Sequence, residues 1–63
     1  MAHYDLELHE LHGELTRLLE KQVELMELAI FVRLTDDELT EYDRRQKRIS
    51  ELLVQLSTFK AAA

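Results

Sequence analysis

Three side chains near the start of the chain, Asp5, His9 and His12 in DLELHELH, recur at spacings of four and three. On a helix that spacing lines them along one side, and a carboxylate with two imidazoles is a ligand set that zinc accepts. The run departs from the HExxH pattern, because Glu10 follows His9 but position 13 is Gly13 and not a second histidine. It also falls where a terminus frays. The expectation is a solvated polar side with no metal and no other cofactor.

A second group is the basic run from Arg44 to Arg48, in which Arg44, Lys47 and Arg48 are expected to share the outer face of a helix, as a phosphate-tracking surface requires. Two features oppose that use. Glu41 precedes Arg45 by four residues and Asp43 precedes Lys47 by four, the favourable order for intrahelical ion pairs. The formal net charge of −5 also works against generic attraction to nucleic acid or anionic membranes. A self-compensated solvated face is the primary expectation, and nucleic-acid contact through Arg44, Lys47 and Arg48 is the alternative.

Covalent or acid–base catalysis finds little here. There is no cysteine, a single glycine rules out a glycine-rich phosphate loop, and Ser50 and Ser57 have no histidine near them in sequence. The carboxylates are spread along the chain as a surface pattern. The expectation is a protein that is not an enzyme, since so short a chain scarcely forms a pocket before it assembles.

The elements that carry these groups are helices. No proline, one glycine and many Leu, Glu, Lys, Arg and Gln residues make the chain all-α. Leu8, Leu11, Leu15, Leu18, Leu25, Ala29 and Val32 follow the three-four spacing of a helix seam, with Gln22 in the one polar slot. Continued in phase, that seam would collect Asp36, Asp43, Ser50 and Ser57, whereas the apolar set is Leu39, Tyr42, Ile49, Leu53 and Leu56, widened by Leu52 and Phe59. The phase break near residue 35 divides the chain into two helices.

The break has its own chemistry. Thr35-Asp36-Asp37-Glu38 fits a capping box, with Leu34 and Leu39 as a hydrophobic staple. Three acids suit the positive end of the second helix, and Arg33 suits the negative end of the first. The spacing and these signals predict helix 1 over about 4–33 and helix 2 over about 36–60. So short a connection predicts an antiparallel hairpin, a single domain over 1–60. The terminal Ala61-Ala62-Ala63 reads as a vector-derived tail. Folding back brings Gln22 near Gln46, either as two half-exposed amides at the seam edge or as a buried pair that fixes register.

Near the turn the first helix is apolar nearly all round, with Val23, Leu25, Met26, Leu28, Ala29, Ile30, Phe31 and Val32. A helix apolar on every side is surrounded by partners, and a 63-residue chain without disulfides has a marginal core of its own. The expectation is a homodimer or higher oligomer, packed as a four-helix bundle. Leu28, Phe31 and Leu34 form a patch for that second copy or for another protein. The longest apolar tract, LAIFV, is far shorter than the roughly 20 residues of a membrane span. The chain opens without a basic and then apolar leader. A cytoplasmic protein that acts by presenting helix faces to a partner is expected.

In size and outline the expected hairpin resembles the plasmid copy-number regulators of the Rop type. Those are short helical hairpins that dimerise into four-helix bundles and bind paired RNA, and no residue motif of theirs recurs in this chain. Small hairpin chaperones of secretion systems share the same outline. The first resemblance implies, as the alternative function, an RNA-binding regulator using the basic face of helix 2.

Overall fold

The computed structural model describes residues 2–62, with side-chain surroundings for 6–59. Helix α1 spans Ala2–Phe31 and helix α2 spans Asp36–Ala62. They fold back on each other as an all-α antiparallel hairpin measuring 47 × 15 × 15 Å. The long dimension is what 30 helical residues produce at about 1.5 Å each. α1 stops two residues short of the expected end, and α2 runs two residues past its own, into the terminal alanines.

Four residues, Val32 to Thr35, make the connection. The Val32 amide donates to the Leu28 carbonyl at 3.0 Å and closes α1; the Leu39 amide donates to the Thr35 carbonyl at 3.0 Å and opens α2. Between these, the capping box forms as its residue types dictate. The Glu38 amide donates to Thr35 Oγ1 at 3.1 Å, and the Thr35 amide donates to Glu38 Oε1 at 2.8 Å. Two amides that the first turn of a helix leaves without partners are thereby satisfied. Among the described residues none has positive φ, so the chain reverses direction without needing glycine. Arg33 lies beyond Phe31, and the last turn of α1 holds no basic residue.

The seam of α1 follows the predicted spacing from Leu8 to Leu25, where Leu8, Leu11, Leu15, Leu18 and Leu25 are half-buried and Gln22 is 4% exposed, but not at the two predicted positions beyond. Ala29 and Val32 are exposed, because the partner level with them is the polar cap and not an apolar turn. In α2 the seam differs from the expected set. Leu52 is fully buried and Ile49 nearly so, with Tyr42, Arg45, Leu56 and Phe59 half-buried. Leu39 and Leu53, expected in the seam, are 48% and 52% exposed. The reason is register: 42, 45, 49, 52, 56 and 59 keep an unbroken three-four alternation against α1, which turns Leu39 and Leu53 to the flank.

Candidate interaction site

The middle of the seam is polar. The Gln22 amide nitrogen donates to the Tyr42 carbonyl at 3.0 Å and to Gln46 Oε1 at 3.4 Å, while Gln22 Oε1 accepts from Arg45 Nε at 2.8 Å. Of the two glutamines only Gln22 is buried; Gln46 remains exposed. Among the described residues no buried side-chain nitrogen or oxygen lacks a partner. The burial of Gln22 therefore carries no unsatisfied group, the condition under which a core amide fixes register.

One flank of the hairpin is charged. Arg48 holds Glu14 in a two-pronged pair across the helices, Nε to Oε2 at 2.7 Å and Nη2 to Oε1 at 2.9 Å. The hydrogen bonds from Arg48 hold the Glu14 carboxyl below its ordinary pKa, against a smaller opposing effect of desolvation, with the charges of Arg48 and Arg17 adding to the lowering. Reciprocally, the Glu14 hydrogen bonds raise Arg48.

This pair revises the basic run. Arg48 is half-buried beside the seam instead of on the outer face. Arg44 binds Glu41 at 2.6 Å, and Arg45 serves Gln22, so the expected Glu41–Arg45 pair gives way to Glu41–Arg44. Asp43 and Lys47 do not pair; Lys47 is the one cation of Arg44, Lys47 and Arg48 left without an ion pair among the described residues. Arg44, Lys47 and Arg48 are neighbours on α2, with Arg44 and Arg48 each held by a carboxylate.

The other flank is apolar. Leu19, Val23, Met26 and Ile30 follow a second three-four line on α1, at least 46% exposed and 75% at Ile30. An open groove lined by Thr16, Leu19, Glu20, Val23 and Glu24 runs along it. Leu39 and Leu53 of α2 belong to the same side. Glu14 and Arg48 each immediately precede a seam residue, Leu15 and Ile49, and they meet across the hairpin. Residues that immediately follow a seam position, namely Leu19, Met26, Leu39 and Leu53, must therefore share the opposite side. The expected seam set hid this line, because it assigned Leu39 and Leu53 to the interior.

At the tip, Phe31 is 84% exposed, Leu28 is exposed and Leu34 is half-buried. Phe31 thus points away from the seam, as its phase predicts. At the other end His9 and His12 are exposed, and the side chain of Asp5 lies outside the described residues. Among the described residues no three His, Cys, Asp or Glu side chains cluster to hold a metal, and no helix is long and apolar enough to cross a membrane.

The fold defines a helical hairpin with one charged flank and one apolar flank. No family model, curated protein or solved structure matches the chain.

Proposed function

We propose that this protein is a small interaction module that works as a homo-oligomer, with the hairpin as its building unit and helix faces as its contact surfaces. The observation that carries the reading is the imbalance between core and surface. The apolar side chains buried among the described residues are Ile49 and Leu52, whereas eleven large apolar side chains are exposed. Beyond those two, the apolar seam is only half-buried, a small core against the conformational entropy of ordering two long helices. Contiguous apolar surface marks a protein interface, and Leu19, Val23, Met26 and Ile30 form one exposed line along α1. The tip patch of Leu28, Phe31 and Leu34 is a contact for a further protein, displayed by the assembled module as an adaptor, chaperone or assembly regulator would display it.

Sedimentation and thermal melts at widely spaced protein concentrations test the reading. A midpoint that rises with concentration, with a mass above that of one chain, is the expected result. A folded monomer whose melt does not depend on concentration would sink it.

A further inference from the structure

We infer that the second copy docks on the apolar flank, against Leu19, Val23, Met26, Ile30, Leu39 and Leu53, with the two turns at the same end of the bundle. The inference rests on the homo-oligomer proposed above and adds the face and the orientation.

Area argues for a second hairpin. The chain exposes 5252 Å², whereas a compact monomer of 7.5 kDa exposes roughly 4,200 Å². The excess of about 1,000 Å² is close to the roughly 800 Å² that each partner removes from water in a standard interface. Stacking one hairpin on another through one flank of each makes a four-helix bundle, the architecture in which such a helix pair is closed.

Charge argues for the side. The flank closed by Glu14 and Arg48 also carries Arg17 and Lys21, and burying it would desolvate all of them. The apolar flank carries Asp43, which follows the seam residue Tyr42, against Glu14, Arg17, Lys21, Arg44 and Arg48 on the other side, so two copies that each carry a net charge of −5 meet at less cost through it.

The distribution of side chains argues for the orientation. Gln22 is level with Arg45, so Leu39 is level with the stretch of α1 that holds Met26 and Ile30. The apolar side chains therefore concentrate in the half of the flank next to the turn, with Leu53 farther along. In the other half the same line of α1 continues as His9, His12 and Thr16. Turns at the same end bring the two apolar halves together. Turns at opposite ends, with full overlap, would lay each apolar half on the histidines of its partner. In the same-end arrangement α1 of one copy lies over α2 of the other, and Lys47 comes level with Glu20 of the second copy at the rim.

The chain has no cysteine, and its one methionine besides Met1 is Met26, so two direct measurements are available on a folded assembly. Peroxide oxidation followed by peptide mapping reads Met26. In the dimer it should be protected many-fold relative to free methionine, and protection should vanish on dilution to monomer. Spin labels on Arg33→Cys at the turn and, separately, on Gln55→Cys nearer the termini read orientation through the distance between copies. Both are exposed positions, and both distances should be a few helix diameters of about 10 Å.

A dimer in which Met26 oxidises at the rate of free methionine overturns the face. A separation near the 47 Å length of the hairpin for either label overturns the orientation. In both cases sedimentation still reports an oligomer, so the interaction-module reading survives. A monomer at every concentration removes that reading and this inference together.

Discussion

Arg48 of α2 grips both carboxylate oxygens of Glu14 on α1, 34 residues away in sequence, at 2.7 and 2.9 Å. It is the ion pair in the described chain that joins the two helices; the others link residues three apart. Because Glu14 titrates below its ordinary range when folded, its contribution to stability is fully present above the unfolded carboxylate pKa. It is lost as pH falls through the lower folded value. Arg48 stays charged in both states across that window and adds no slope. Glu14→Gln should therefore flatten the acid limb of a plot of melting midpoint against pH. The pair is more than a third exposed, so its effect should be small and shrink with added salt. An acid limb unchanged by the substitution would assign the acid sensitivity to other carboxylates.

The cap makes a prediction about the turn. Thr35→Ala removes the acceptor for the Glu38 amide and should cost about 1 kcal/mol, a fall in midpoint of roughly 4–8 °C for a domain of this size. Thr35→Ser keeps the oxygen and should retain most of the stability. Equal melts for the alanine and serine variants would show that the box contributes nothing.

Leu52 and Leu53 are neighbours in sequence with opposite surroundings, one fully buried and one half-exposed. Leu52→Ala should cost about 2–5 kcal/mol in urea unfolding. Leu53→Ala should cost less, and its effect should weaken association if the apolar flank is an interface. The reverse order would place Leu53 in the seam and move α2 out of the register described.

Gly13 lies within α1, and a methyl group there would approach Arg17 Nη1 at 3.6 Å, an ordinary contact with the end of a flexible side chain. Gly13→Ala should therefore stabilise the helix by about 0.5–1 kcal/mol. A destabilised variant would point to a close approach by another chain at this position.

Gln22 gives a further comparison. Gln22→Ala removes the bonds to Arg45, the Tyr42 carbonyl and Gln46 and leaves the buried space of Gln22 empty, and should cost about 1–3 kcal/mol. Gln22→Leu fills the space, and Arg45, half-buried, swings its head to water. That variant should be near neutral or more stable, with broadened side-chain signals in NMR spectra if the hairpin samples a second register. Sharp, single signals would show that the leucines alone hold the helices in place.

The parts of the fold legible in the sequence were those set locally. The seam of α1 follows from its spacing, and the cap from Thr35 and Glu38, because each depends on residues within one or two turns. The seam of α2 was less legible. Leu52 and Leu53 are adjacent and equally apolar, and only the match to α1 decides which one turns inward. The role of Arg45 was hidden for a related reason: a cation in a seam position reads as surface until its acceptor, Gln22, is known from the other helix. Arg48 reads equally well as a surface cation, and it took the position of Glu14 to draw it to the seam edge. At the sites the distinction is the same. The exposure of Phe31 follows from its phase on one helix, whereas the apolar flank is a property of two helices in a particular register.

The mismatch of phase across Val32 to Thr35 bears on how the chain can go wrong. Short connections between paired helices invite exchange, in which the hairpin opens into one straight rod and rods trade halves, sometimes without end. Here the rod is handicapped. Straightening the connection would break both hydrogen bonds of the Thr35 and Glu38 cap. It would also carry the stripe of α1 forward onto Asp36, Leu39, Asp43, Gln46, Ser50, Leu53 and Ser57, while the buried seam of Ile49, Leu52 and Leu56 wound to another side. No single straight partner could cover both stripes at once. The chain is therefore built to resist runaway polymerisation through its hinge, and any assembly it makes should consist of closed hairpins.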